Sequence, residues 1–502
     1  MAGADSTASG ISLADRVTAA RRRVVASAGA IPLALVIVVL VGIGLRAVLW
    51  LAYDPAVLNV SDTSAYLVMA TGNLFDEPVR TAGYPLFMRV VHALSSDIDV
   101  TLAIQHTIGI ATGLVLYAMV RRIGAPRWAA VAAAAAVLLS LDQVLVEHTI
   151  LSEVLFTFVL VLALYAAVRA LDDPRALVGR ITTRHLWLVA AGMLIGYSAW
   201  VRAVSAPLVP AVALFFVFAL PGGAWVRIGR GALAGGAGAA VLLLYFTLNS
   251  ASTGTFGMTQ ATGWAIYSRA APFADCSQFT PPDGTAKLCE SSPADERPGP
   301  DFYTWYRRSP AEHVFGYPPA GDDALEKFGL RAIVAQPRIY ATTVGRDFLR
   351  YFFPAINNEQ YLGGTDYEYM DIHRRDRPIE KDLQMRLDGY YDPDSLNVDQ
   401  DTLDTLTDFQ QALRVHPILM LQAIILGALG VGLAVGRVRW ALVLILGTSL
   451  ILLLVPSAIG TYNVRYAIPI GGPVIAAGAI GLWVCIARLR GSSIAESPPA
   501  TG

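Results

Sequence analysis

The sequence predicts an all-α polytopic membrane protein with about ten transmembrane helices, interfacial helices in its first outer loop and a small extracytoplasmic domain. Three observations carry this. Of 502 residues, 55% are hydrophobic and 15% charged, whereas soluble domains carry about 25% charge. Apolar stretches of roughly 20 residues, the length that crosses a bilayer, recur along the chain. The short arginine-bearing loops between them all fall on one side, as the positive-inside rule requires.

In order, residues 1–30 form a small, polar cytoplasmic tail that carries Arg21, Arg22 and Arg23. The apolar segment from Ile31 to Tyr53 is too long for a signal-peptide core and lacks a small-residue cleavage site, so it reads as a signal anchor. Further spans are expected over Val100–Val120, Trp128–Leu141, Thr149–Leu171, Leu186–Val201, Ala203–Leu220 and Ala232–Asn249. Three more follow a long interruption: Pro417–Val435, Trp440–Ile459 and Ala467–Leu489. With the N-terminus inside, the inner loops hold Arg121, Arg122 and Arg127, then Arg175, Arg180 and Arg184, then Arg227 and Arg230, then Arg437 and Arg439. Both long acid-containing segments, 54–99 and 250–416, then lie outside. The expected organisation is thus an N-terminal membrane module, 31–249, containing the loop 54–99. An extracytoplasmic loop domain, 250–416, C-terminal helices, 417–489, and a disordered cytoplasmic tail, 490–502, follow. Localisation is the plasma membrane, multi-pass, with both termini cytoplasmic.

Composition excludes some classes. The net charge of −1 says nothing about nucleic acid, but no basic face is interleaved with aromatics, and no nucleic-acid partner is expected. Lysine occurs only at Lys287, Lys327 and Lys381 against many arginines, the usage of a GC-rich, actinobacterial genome. No phosphate-cradling G-x-x-x-x-G-K-[ST] or strand-to-helix G-x-G-x-x-G occurs. The Gly231–Gly238 stretch lies in an apolar span and serves helix packing. No His/Cys cluster has metal-ligand spacing and no serine nucleophile elbow is present. Neither a cofactor nor a metal is expected.

The first outer loop places Asp62 just beyond a membrane surface, with Tyr66 four residues on and so on the same helical face. Leu67, Val68, Leu74 and Phe75 fit it to lie in the interface, and Gly83-Tyr84-Pro85 reads as a turn. The second segment, with Trp264, Tyr267, Trp305 and Tyr306, is too aromatic for disorder. Cys276 and Cys289 predict a disulfide there, given an oxidising location. Apolar recurrence around Leu330, Ile333, Val334, Ile339 and Val344 predicts interfacial helix. Asp392, Asp394, Asp399 and Asp401 lack the glycine and closing glutamate of a calcium loop and read as solvated acids.

Costly polar residues gather at the outer ends of the spans: Arg46, Asp142, Glu147, His148, Ser152, Glu153, Arg202, Arg465 and Tyr466. Singly, His148 caps a helix, Glu147 pairs with an arginine and Arg202 snorkels. Together on one side, they predict an outward polar cavity. Arginine forks bind phosphate, and a nearby carboxylate accepts a hydroxyl proton. That combination suits transfer from a membrane-borne activated sugar.

At these residues the chain resembles the glycosyltransferase C superfamily, in the branch of protein O-mannosyltransferases, lipid A aminoarabinose transferases and their actinobacterial relatives. The matching pieces are Asp62-x-x-x-Tyr66, Arg80-Thr-Ala-Gly-Tyr84-Pro-Leu-Phe, Glu147-His148 to Ser152-Glu153-Val-Leu-Phe, Trp200-Val-Arg202 and Arg465-Tyr466-x-x-Pro469. The resemblance implies an inverting transfer from a polyprenyl-phosphate sugar to an envelope glycan or protein acceptor on the outer face. It implies Asp62 as the base. Tyr66, Arg80, Tyr84, Asp142, Glu147, His148, Glu153, Arg202, Arg465 and Tyr466 would bind donor or acceptor. Thr63 stands where many relatives carry a second acid, so metal-independent catalysis is expected. The alternative is a transporter or flippase of lipid-linked saccharides, which needs the cavity but no base.

Overall fold

A computed structural model describes residues 32–54, 56, 61–172, 174–178, 181–354, 381–391 and 397–491. Arg21–Arg23, Asn59, Asp392, Asp394 and the tail beyond 491 lie outside the described residues.

Every apolar segment read from the sequence is helical. The first six are α1 (Leu33–Ala52), α4 (Ile98–Ile123), α5 (Arg127–Leu138), α7 (Glu153–Ala170), α8 (Thr183–Val201) and α9 (Leu208–Ala219). The others are α10 (Ala224–Thr253), α18 (Pro417–Leu433), α19 (Gly436–Ile459) and α20 (Ile468–Leu489). Six stretches among the described residues are long and apolar enough to cross a membrane, or seven with one bent pair. The segments of α9 and α18 are shorter apolar helices. The chain is therefore a predominantly helical, polytopic membrane protein.

The bent pair departs from the sequence reading, in which the span Trp128–Leu141 ends before Asp142 and the next begins at Thr149. The stretch between them is instead α6 (Leu141–Glu147), inclined by 51° to α5. A break strands backbone groups that must find new partners. Here the Leu138 carbonyl accepts from Arg46 at 2.9 Å, and the Leu141 N–H donates to the Leu413 carbonyl at 2.7 Å.

Glycines let spans approach where a side chain would intrude. A Cβ on Gly192 of α8 would lie 2.0 Å from the Ala234 carbonyl oxygen of α10, and one on Gly238 would lie 2.9 Å from that of Gly192. The Gly231–Gly238 stretch therefore packs helices, as expected.

The first long loop contains α2 (Ser61–Thr71) and α3 (Gly83–His92). Gly83-Tyr84-Pro85 opens α3 rather than forming a free turn, because proline is tolerated in a first helical turn. Leu67 and Met69 are fully buried, so α2 packs into the bundle more deeply than an interfacial helix. Arg89 of α3 donates to the carbonyls of Met69, Ala70 and Gly72 and thereby caps α2. A two-residue ladder, β1 (Tyr53–Asp54) with β4 (Asn397–Val398), ties the end of α1 to the late loop. Asp399 caps α17 (Gln400–Gln410) through Thr402.

The loop domain has its own core, in which Trp264, Tyr267, Phe273, Leu288, Tyr303, Leu325 and Phe328 pack together. Cys276 and Cys289 are bridged, with Cα atoms 5.9 Å apart. Arg297 donates to the carbonyls of Ala271, Ala274, Glu290 and Ser292, closing the irregular stretch around the bridge. The expected helix from Ala324 to Phe353 is divided into α14 (Asp322–Ala335) and α15 (Pro337–Arg350). Pro337 cannot donate to the preceding turn and so ends α14. Leu330, Val334 and Ile339 remain exposed along this pair. The domain docks on the end of α19 through a Tyr340 bond to the Ala458 carbonyl at 3.0 Å and an Arg269 bond to the Gly460 carbonyl at 3.4 Å, while a buried Arg269–Asp347 pair joins two of its own helices.

Candidate active site

Four elements bring charge together at one end of the bundle. Asp62 lies in the first turn of α2, where the helix dipole favours an anion. Glu153 likewise opens α7. Arg202 is the extended residue that terminates α8. Arg465 lies in a short 3-10 turn before α20, where the Asn463 side chain accepts from its N–H at 2.9 Å and fixes the turn.

Arg465 Nη2 bridges the two acids, at 2.8 Å from Asp62 Oδ2 and 2.5 Å from Glu153 Oε1. Arg202 Nη1 reaches the same Glu153 oxygen at 2.6 Å, and its guanidinium packs on the Tyr466 ring at 5.1 Å. Two guanidiniums thus converge on a single carboxylate oxygen. The other oxygen, Oε2, is buried with no hydrogen-bond partner.

Asp62 Oδ1 accepts from Arg80 Nε at 3.0 Å and Nη2 at 2.6 Å. Burial would raise the carboxyl of Asp62, but Arg465 and Arg80 outweigh it and hold the group well below the ordinary carboxylate range. Glu77 braces Arg80, at 3.1 Å from Nη1. Tyr66 donates to Ser152 Oγ at 2.9 Å and meets the Tyr84 ring at 4.9 Å. Its hydroxyl is pushed up by burial and by Asp62, so it stays a neutral donor. Tyr84 donates to Gln105 Oε1 at 2.8 Å. Thr63 donates to the Ile150 carbonyl at 3.2 Å.

Asp62, Tyr66, Arg80, Tyr84, Glu153, Arg202, Arg465 and Tyr466 therefore assemble from distant parts of the sequence. Three other expected site residues have different neighbours. Asp142 is held by Arg414 and Gln410 at 2.7 and 2.8 Å. Glu147 is fully buried and forked by Arg46 at 2.7 and 2.8 Å. His106 lies 3.1 Å from Glu147 and 3.2 Å from His148, whose other nitrogen donates to the Tyr53 carbonyl at 2.6 Å. The sequence reading missed His106 and Gln105, although two polar residues inside an apolar span signal a buried network. It also missed Arg414 and Glu77 as partners.

No family model and no curated protein matches the chain. Solved structures of the Archaeoglobus fulgidus oligosaccharyltransferase are similar to it. The form tethered to an acceptor peptide has a TM-score of 0.41 at 14% identity, over 91% of this chain and 50% of that one. The form with zinc and sulfate has a TM-score of 0.40 at 13% identity, over 91% and 51%. This chain spans about half the length of those structures. At these values the likeness assigns neither family nor activity.

Proposed function

We propose that the protein is a glycosyltransferase of the C superfamily with about ten membrane spans, transferring a sugar from a polyprenyl phosphate to an envelope acceptor on the outer face of the plasma membrane. The observation that carries the reading is the convergence of Arg202 and Arg465 on Glu153 Oε1, at 2.6 and 2.5 Å. A phosphate oxygen suits the same pair of forks. When the donor phosphate takes that place, Arg465 is drawn away from Asp62 Oδ2. An acceptor oxygen on Asp62 is then free.

Asp62 accepts the proton of the acceptor hydroxyl as that oxygen bonds to the anomeric carbon. The bond from this carbon to the phosphate oxygen breaks with its electron pair, and Arg202 and Arg465 stabilise the leaving phosphate. Attack opposite the leaving group inverts the anomeric centre. Tyr66, Tyr84 and Tyr466 line the site, and Arg80 holds Asp62 in register. Asp142, Glu147 and His148 act at a remove, by bracing α6 beneath the site.

The test is transfer itself. Purified full-length protein is incubated with radiolabelled decaprenyl-phosphate mannose or arabinose and envelope extract. Label should move to extract glycan or protein, and Arg465→Ala should abolish this. Vectorial movement of the intact labelled lipid between vesicle leaflets, without transfer, would establish a flippase instead.

A further inference from the structure

We propose that Trp305 and Tyr306 form a saccharide subsite, at which a sugar ring of the acceptor stacks beside the Asp62 carboxylate. This deepens the glycosyl-transfer reading, since it names a glycan rather than a polypeptide as the acceptor.

Trp305 ends the short helix α12 (Pro300–Trp305) of the disulfide-bridged domain. Along that helix Tyr303 turns inward: it is fully buried and donates to Glu290 Oε1 at 2.6 Å. With Tyr303 anchored, the next two aromatics face out, and Trp305 and Tyr306 are 38% and 46% exposed. Tyr306 stacks on Phe302, the residue four before it, with centroids 5.7 Å apart. Both rings are therefore open to solvent, Tyr306 held by Phe302 and Trp305 by Arg80. Single exposed apolar residues are ordinary; an exposed indole resting on the guanidinium that holds Asp62 is not.

Its place is set by Arg80. The guanidinium carbon of Arg80 is 4.9 Å from the Trp305 ring centroid, and the same guanidinium holds Asp62 at 2.6 Å. One side chain thus separates Trp305 from the carboxylate. The spacing is held by the chain just before Arg80. Val79 packs into the loop-domain core, and the Gln260 N–H and side chain donate to the Pro78 and Phe75 carbonyls at 2.8 and 3.0 Å.

The occupant follows from this pairing of groups. A sugar ring presents C–H bonds on its faces and hydroxyls around its rim. It therefore matches an aromatic face with ionic hydrogen-bonding groups at its edge. Arg80 covers one face of the indole, so a ring lying on the other face is held one side chain away from Asp62, and the neighbouring sugar unit of the same oligosaccharide presents the nucleophile. A cation–π contact needs only one face of the indole, so the exposed part of Trp305 is left for a ligand.

The test uses the full chain in neutral-lipid nanodiscs, by saturation-transfer NMR with three probes: a linear mannotriose, a linear arabinotriose and a serine/threonine-rich peptide. At least one oligosaccharide should receive saturation. Trp305→Ala should weaken its binding about tenfold or more, the scale of a lost stacked ring. Trp305→Phe should retain most of it, and Tyr306→Ala should lose part. Thermal unfolding of each variant reports intact folding. Saccharide binding unchanged in a folded Trp305→Ala protein overturns the proposal, as does Trp305-dependent binding of the peptide alone, or of no probe. Decaprenyl phosphate binding is measured on the same discs. If it persists and depends on Arg202 while no saccharide binds, the subsite fails and the transferase reading stands. If saccharides bind through Trp305 but decaprenyl phosphate does not bind, the donor reading fails instead.

Discussion

Arg46 and Glu147 stand 101 residues apart and meet in a two-bond fork at 2.7 and 2.8 Å, with the glutamate fully shielded from solvent. Arg46 also donates to the Gly42 and Leu138 carbonyls, so one side chain joins α1 to the break between α5 and α6. The pair braces the joint between α5 and α6 against α1. Removing one partner leaves the other as an uncompensated buried charge, which costs about 3–5 kcal/mol. Glu147→Ala should therefore lower the unfolding temperature sharply. Gly109→Ala should act in the same direction, since its Cβ would lie 1.9 Å from Glu147 Oε1. Decaprenyl phosphate binding by whatever protein remains folded should be near normal in both variants. A stable Glu147→Ala protein that has lost binding would return Glu147 to the substrate.

The disulfide should matter to the loop domain and little to the membrane helices. Cys276 and Cys289 close a loop with a sequence separation of 13, for which chain-entropy arguments give about 3 kcal/mol. Cys276→Ser should expose the domain to limited proteolysis near Trp264 and Tyr303 while the thermal transition of the bundle stays put. Because Val79 packs into that domain, the Arg80 loop should also become cleavable. Protease resistance equal to wild type would mean the bridge adds nothing to a core already sufficient.

Much of this was legible in the sequence, for reasons that also show where legibility stops. Hydropathy located the spans because a bilayer demands long apolar helices, whereas the break at Pro337 was passed over inside a stretch read as one helix. Cys276 and Cys289 could be paired because they were the two cysteines in one loop. Asp62, Arg202 and Arg465 stood out because ionisable groups at membrane depth are costly. Partners did not follow from this. Helices that are apolar all round do not announce which face meets which neighbour. Nothing local sends Glu153 to Arg465, 312 residues away, and Glu147 to Arg46. The two glutamates lie six positions apart with similar surroundings in sequence, yet the bend into α6 turns one to a brace and the other to the site.

Arg202 should be irreplaceable by lysine. Its guanidinium touches Glu153 at 2.6 Å and lies on the Tyr466 ring at 5.1 Å, so it uses both its planar fork and its flat face. An ammonium keeps the charge and loses both. Arg202→Lys should weaken decaprenyl phosphate binding about tenfold, on the scale of one charge-assisted hydrogen bond. Arg202→Ala should weaken it further, and the salt dependence of binding should become shallower. Titration of nanodisc-held protein at two ionic strengths reads both effects, and unchanged affinity in Arg202→Ala would reduce this residue to a snorkelling arginine.

Asp62 carries the enzymatic reading, and its environment fixes the sign of its pH dependence. The folded-state carboxyl lies below its ordinary value of 3.8, because Arg465 and Arg80 outweigh the effect of burial. The stabilisation from this pairing is therefore fully present above that ordinary value. It is lost only as pH falls through the lowered one. Asp62 is thus ionised throughout the range in which membrane proteins are handled, and transfer should show no acid limb from this group down to pH about 5. A carboxylate so well stabilised is a weak base until one arginine leaves it. Proton uptake should accordingly depend on a bound donor phosphate that draws Arg465 away. Asp62→Asn keeps the shape and removes the base. Transfer should fall about 10²–10⁴-fold, with donor affinity nearly intact because Arg202 and Arg465 remain. Asp54→Asn, in the ladder with Asn397, is the control and should transfer normally. Near-normal transfer by Asp62→Asn, with a folded but inactive Glu153→Gln, would move the base to Glu153, whose buried Oε2 is the uncommitted acceptor of the site.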